Sequence, residues 1–300
     1  MPIRTEAVMG TLVTIHVVRD SAGADAATDR AFGWFREIEE RCTRFNLDSE
    51  LMRLSAQTGV AVPVGAILYE AVRFALAVAE ETDGAFDPTV GQRMHERGFN
   101  REHRTDKAVR LTATPDAAAS YRDVEIDPER RTITLHRPLT LDLGAVAKGL
   151  AVDTAARELE PFRDFAIDAG GDLYLGGLNP QGDPWGVGIR HPRRDGELIG
   201  SLRVSDRAVC TSGDYERRVS SEGRTNEHHI LDPRTGQSPH AVASATVVAP
   251  GAMLGDALAT AAFVLGPAEG IGLLNRMGVE GLILTPDLAR YETRGLCCAA

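Results

Sequence analysis

The chain has little of several things, and each scarcity closes off a class of function. Four cysteines occur in 300 residues, at Cys42, Cys210, Cys297 and Cys298. They show neither CxxC spacing nor a paired framework, so neither a disulfide scaffold nor a thiolate zinc site is expected. Basic charge is in deficit, with 33 Lys and Arg against 43 Asp and Glu and a formal net charge of −10. No basic run tracks a phosphate backbone, which argues against nucleic acid as a partner. No uninterrupted apolar stretch reaches the ~18 residues of a membrane span. The opening "MPIRTEAVMGTLVTIHVV" enters an alternating strand without the charged and apolar regions of an export signal. These features together predict a reduced, cytoplasmic protein, the alternative being a periplasmic one whose leader is removed.

Hydrophobic content of 43% is ample for a core. The first third reads as helix-rich: after the strand "TLVTIHVV", helices are predicted from about Ala24 to Cys42, over "SELMRLSAQ", and over "AILYEAVRFALAVAEET" with Leu68, Val72, Leu76 and Ala79 on one face. From Tyr121 short strands dominate, among them "DVEID", "RTITLH", "LTLDLG", "DFAIDAGGDLYLGG", "WGVGIR", "AVCTSG" and "SATVVA". Helices are predicted over "AVAKGLAVDTAARELE" and "AMLGDALATAAFVLG". Strand and helix alternate without a βαβ rhythm, which predicts an α+β fold with a mixed or antiparallel sheet and flanking helices. Residues Arg97 to Asp116 form the best candidate for an exposed insertion.

Three segments carry candidate chemistry. In "LDLGAVAKGLAVD", Leu141 to Asp153, a strand is expected to become a helix whose first amides and dipole can meet an anion, with Lys148 adding a point charge; an ordinary turn with a surface lysine reads as well. In "GDALATAA", Asp256 and Thr260 stand at i and i+4 among small residues. Their oxygens share a helix face and suit a hard cation, although a carboxylate placed near a helix N-terminus explains Asp256 equally. In "TNEHHILDPRTGQSP", strand alternation sends His228 and His229 to opposite faces, so at most one serves as a proton acceptor at a given site.

The collinear set "VMGTLVTI", "TRFNLDSEL", "GAFDPTVG", "LDLGAVAKGLAVD", "DAGGDLYLGG", "VCTSGDYER", "HHILDPRTG" and "GDALATAAFVLG" resembles the ApbE family of flavin transferases, from about Val8 to the region of Leu284. The resemblance implies a single two-lobed domain over residues 1–300, helix-rich to about 120 and sheet-rich over about 121–295. It implies transfer of FMN from FAD to a Ser or Thr of an acceptor protein, with AMP released. Asp256, Thr260 and the carbonyl of Ala145 match the family's magnesium ligands. Met9, Phe45, Phe86, Asp87, Asp142, Lys148 and Ile230 match positions that line FAD, and His229 matches the catalytic histidine. Two positions depart from the pattern: Phe45 stands where many relatives have tyrosine, and Asp168 where asparagine is expected. The rival readings are an FAD pyrophosphatase on the same scaffold and, more distantly, a flavin-binding protein without catalysis.

Overall fold

The computed structural model describes residues 3–19, 21–100, 108, 116, 118–216, 218–221, 224–296 and 298–299. Most of the insertion expected between Arg97 and Asp116 lies outside the described residues.

Among the described residues, the main sheet runs in the spatial order β1 (Ile3–Val8), β2 (Thr11–Val17), β6 (Phe165–Ala169), β7 (Asp172–Gly176), β10 (Arg207–Gly213), β13 (Ser244–Ala249), β14 (Glu280–Leu284) and β15 (Arg290–Glu292). Every neighbouring pair in it is antiparallel. A small sheet of β3 (Ala61–Pro63), β5 (Thr132–Leu135) and β4 (Val124–Asp127) lies apart from it. Another joins β16 (Cys298–Ala299), β9 (Leu198–Val204) and β8 (Trp185–Arg190), and a two-stranded pair joins β11 (Arg218–Ser221) to β12 (Arg224–His228). This is the α+β class with antiparallel sheets that the sequence predicts.

One face of the main sheet is covered by α1 (Ala24–Cys42), α5 (Gly144–Leu159) and α6 (Ala252–Leu265), with α2 (Glu50–Ser55), α3 (Ala66–Glu81), α4 (Gly91–Glu96) and α7 (Pro267–Arg276) around them. In α1 the buried Ala24, Ala27, Ala31, Phe35, Ile38 and Cys42 recur at three- and four-residue spacing, so burial of this stripe sets the helix against the sheet. α3 presents Leu68, Ala71, Val72, Ala75, Val78 and Ala79 to the core, whereas Leu76 is only half-buried. α6 is buried along nearly its whole length. A small residue of α5 lets the two helices come close: a Cβ at Gly149 would lie 2.5 Å from the Met253 backbone. The opposite face of the sheet carries a second apolar cluster, in which Leu175, Val209 and Leu282 meet Ile189 and Leu202 of the β16-β9-β8 sheet.

Two local expectations change. The segment "LTLDLG" is not a sheet strand: Thr140 makes an isolated bridge to Val90, and the Asp142 amide donates to the Pro88 carbonyl. Its backbone partners are therefore spent on the loop before α4. The short helices α4 and α7 were not read from the sequence, α4 because six residues give too little periodicity.

Candidate active site

The Asp142 to Asp153 segment builds its own helix start. Asp142 Oδ1 accepts the Gly144 amide at 2.7 Å, while the amides of Val146 and Ala147 both donate to the Leu143 carbonyl. Amides at the start of the helix, which the sequence reading offers to an anion, are thus engaged at Gly144 and Val146, because an Asx turn and a tight first turn close the helix start. At Ala145 the backbone leaves helical geometry, with φ −92° and ψ 16°. That kink turns the Ala145 carbonyl away from the direction it would take in a regular helix.

One turn on, Lys148 points toward the sheet. Its ammonium contacts the Asp172 carboxylate at the start of β7 and stands 3.6 Å from Asp256 Oδ2 on α6. Asp172 is 1% exposed and Asp256 7%, so both charges lie within the fold. Thr260, one turn after Asp256, meets Ser212 Oγ of β10 at 3.2 Å. Asp153, also on α5, accepts the Ala252 and Met253 amides at 2.6 and 3.0 Å and caps α6 from the neighbouring helix. Burial raises the Asp153 carboxyl above the ordinary carboxylate range, and those two amides oppose the shift. Beneath this cluster the fully buried Cys210 thiol is pushed well up, by burial first and by the Asp256 charge next, which makes it a poor nucleophile.

The oxygens here fit a hard divalent cation. Asp256 and Thr260 share a helix face, and a carboxylate and a hydroxyl so placed are oxygen donors of the kind such an ion takes. Among the described residues no group of three or more His, Cys, Asp or Glu could hold a metal by itself. A cation at Asp256 would therefore draw on hydroxyl, carbonyl, water and substrate oxygens, the environment that magnesium tolerates best.

A second group forms around Asp142. Arg44, 9% exposed, donates to Asp142 Oδ2 at 2.6 Å and to the Phe99 carbonyl at 2.6 Å, and its guanidinium lies 4.3 Å from the Phe45 ring centroid. Phe45 and Asp142, 97 positions apart, are held together by this one side chain. Met9 takes φ 52° beside Gly10 at 71° in the two-residue turn of the β1–β2 hairpin, the left-handed pair such a turn demands. The β6–β7 turn packs on that hairpin, since a Cβ at Gly170 would fall 2.1 Å from Thr11 Oγ1. Asp168 is exposed and accepts the Gly171 amide at 3.1 Å, so its departure from asparagine keeps a turn-forming acceptor.

Asp87 is buried and accepts the Thr89 amide and hydroxyl at 2.8 and 2.7 Å and the Tyr121 amide at 3.1 Å. Burial raises its carboxyl above the ordinary range, against these bonds. Its visible work is to tie two loops, and Phe86 beside it is buried in the core. Asp87 also lines a cavity of about 210 Å³ with Arg93, Tyr121, Pro233 and Arg234.

The two histidines differ in burial. His228 is 2% exposed, bonds the Pro239 carbonyl through Nε2 at 3.0 Å, and sits edge-on to Phe263 with ring centroids 5.3 Å apart. Phe263 follows Asp256 by seven positions and Thr260 by three, so the histidine segment is seated on the helix face that carries those two residues. His229, just past the end of β12, is half-buried, and Ile230 is buried. After them "DPRTG" closes on itself: the Asp232 amide donates to the Gln237 carbonyl and the Gly236 amide to the Asp232 carbonyl, while Arg93 of α4 bonds the Pro233 carbonyl.

The contacts thus join Lys148 with Asp256, Asp142 with Phe45, and the histidine segment with α6. Asp172, Arg44, Asp153, Ser212 and Arg93 escaped the sequence reading as site residues. For Asp172 a signal existed: a carboxylate in core register on a strand needs a buried partner, and Lys148 is one of the chain's two lysines.

An α+β enzyme scaffold with an acidic, lysine-bridged helix pair beside a histidine-bearing arm is the class these features define. The chain belongs to the ApbE family, whose sequence profile matches residues 9–283. Among its relatives, the FAD:protein FMN transferase of Treponema pallidum is 35% identical, with 98% of this chain and 87% of that protein covered. The FAD:protein FMN transferase of Haemophilus influenzae is 30% identical, over 93% and 85% of the two chains. The crystal structure of the ApbE protein of Thermotoga maritima superposes with a TM-score of 0.86 at 28% identity, covering 98% of this chain and 97% of that one. The flavin transferase ApbE of Vibrio cholerae gives 0.83 at 26%, with the same coverage.

Proposed function

We propose that this chain is a magnesium-dependent FAD:protein FMN transferase that acts on a Thr or Ser hydroxyl of an acceptor protein. The acceptor oxygen attacks the FMN-side phosphorus of FAD, the pyrophosphate P–O bond breaks, and AMP leaves with the bridging oxygen. His229 takes the hydroxyl proton as the new phosphodiester forms. Asp256, Thr260 and the Ala145 carbonyl would hold the magnesium ion, which supplies charge neutralisation at the pyrophosphate. Lys148 adds a positive charge at the same oxygens. Phe45 offers an aromatic face to the flavin, while Arg44 fixes Phe45 and Asp142 relative to each other. Met9, Phe86, Asp87 and Ile230 complete the FAD lining in this reading.

The observation that supports it best is the contact of His228 with Phe263, on the α6 face that bears Asp256 and Thr260, which ties the histidine segment to that helix. The names of the relatives support the same chemistry. The test is to incubate the protein with FAD, magnesium and a protein bearing an acceptor segment, and to record intact mass and AMP. A gain of one FMN moiety on the acceptor, matched by AMP, is expected. Rapid AMP and FMN release with no acceptor mass change would instead identify a pyrophosphatase.

A further inference from the structure

We propose that Ser212 is a positioning residue for the cation site: it accepts the hydrogen of the Thr260 hydroxyl and so leaves that oxygen's lone pairs to a metal ion. The proposal rests on the reading that magnesium is held at Asp256 and Thr260. Threonines of the helices in this fold share a habit. Thr28, Thr82 and Thr154, in or at the end of α1, α3 and α5, each donate to the carbonyl four residues back, those of Ala24, Val78 and Leu150, at 2.8, 2.7 and 2.8 Å. Thr260 departs from it. Its hydroxyl meets Ser212 Oγ at 3.2 Å, in place of the Asp256 carbonyl that the same habit would select. A hydroxyl bonded back onto its own turn is oriented by its helix, whereas this one is oriented by the sheet.

The sheet holds Ser212 firmly. Ser212 is 8% exposed near the end of β10 and pairs in register with Ala245 of β13. Two residues back, on the same face by strand period, the Cys210 thiol donates to the Ala252 carbonyl at 3.5 Å. β10 therefore meets α6 twice, at its first residue through Cys210 and beyond its midpoint through Ser212. Hydrogen-bond counting then gives the hydroxyl pair a direction. Each hydroxyl has one hydrogen and two lone pairs, and without an ion either oxygen can donate. An oxygen that gives a lone pair to a cation is left with its hydrogen to bond through, so Thr260 becomes the donor and Ser212 the acceptor already in place. Without that acceptor the Thr260 hydrogen would turn back to the Asp256 carbonyl, as in the other three threonines, and carry its oxygen with it.

The experiment titrates magnesium into the protein at fixed FAD, followed by flavin fluorescence, and into the protein alone by calorimetry. Thr260→Val removes the ligand oxygen and should weaken magnesium by more than about tenfold, and Ser212→Ala should weaken it by about tenfold, the scale on which residues that orient a metal ligand act. Ser212→Thr keeps the accepting hydroxyl and should stay within about threefold of the unaltered protein. Ser212→Val has the same shape without the hydroxyl; it should behave as the alanine form and replaces it should that form not fold. Melting temperatures in excess chelator report folding. Adding Ser212→Ala to Thr260→Val should cost no more than about twofold further, since Ser212 acts only through the Thr260 oxygen. Equal losses from Ser212→Ala with and without the Thr260 hydroxyl would mark a merely structural serine and overturn the proposal. So would an unchanged magnesium affinity in Ser212→Ala beside a weakened one in Thr260→Val, or a Ser212→Thr form as weak as Ser212→Val. An unchanged affinity in Thr260→Val would instead overturn the reading of Thr260 as a magnesium ligand, and the proposal with it.

Discussion

Asp256 and Thr260 stand on a helix buried along nearly its whole length, whereas His229 stands just past the end of a two-stranded pair outside the main sheet. The first region is positioned by close packing. Gly149 lets α5 touch Met253, Asp153 caps α6, and Ser212 meets Thr260. The second is positioned by a few directed bonds, from His228 to Pro239, from Ser238 to the His228 carbonyl, and from Arg93 to Pro233. Packing makes a site stiff and intolerant of volume changes, while directed bonds make one that single side chains can loosen. Ligand binding and proton transfer should therefore separate by mutation.

His229→Ala should show the separation most strongly. Transfer, followed by AMP release with acceptor present, falls by about 10²–10⁴-fold, while FAD affinity in magnesium changes little. Asp256→Ala should bind FAD at least about 10–100-fold more weakly in magnesium, with transfer falling in parallel; transfer lost without loss of binding would break the division between the two regions.

Gly149→Val pushes a side chain into the Met253 backbone. We expect a loss of about 1–3 kcal/mol in urea-unfolding free energy, together with weaker magnesium-dependent FAD binding. His228→Ala removes a hydrogen bond and the Phe263 contact and should cost about 1–2 kcal/mol of stability, leaving transfer per folded molecule within about threefold. This sharpens the expectation from alternation alone: His228 packs on Phe263 and holds its segment to α6.

The smallest effect concerns His16 on β2, whose ring is edge-on to Trp185. Burial lowers its pKa below the ordinary 6.5. Between that lowered value and about 6.5 the unfolded chain holds the extra proton, so stability should decline as pH falls through this window. His16→Gln should flatten that slope in unfolding free energies measured at about pH 7 and about pH 5.5.

Local patterns were legible in the sequence in proportion to how local their causes are. The Asp256–Thr260 face follows from helical period, and both residues fall within α6; strand period predicts a split between His228 and His229, of which the structure shows that the first is buried and the second half-buried. Helices α1 and α6 fall where periodicity and small residues place them. Arg44 and Asp142 are 98 positions apart and Lys148 and Asp172 are 24 apart. Neither pairing has a periodicity to betray it, since each depends on which strands become neighbours. The misread strand at "LTLDLG" has the same origin, its alternation being real but its partner a loop. Family resemblance supplied roles for Met9, Phe45 and Ile230, where residue type by itself argued nothing.

The Asp153 cap has a consequence for how the protein comes into being. Its bonds to Ala252 and Met253 span about a hundred residues, and the Gly149 contact is as remote in sequence. Half of the site lies before residue 173 and half after residue 211, so no early fragment of the growing chain can assemble it. Long-range closures of this kind slow folding, because chain entropy is spent before the contacts that offset it are made. A ligand bridging α5 and α6 can recognise only the completed fold, and FAD with magnesium should act as a late clasp that draws the folding equilibrium toward the native state by mass action.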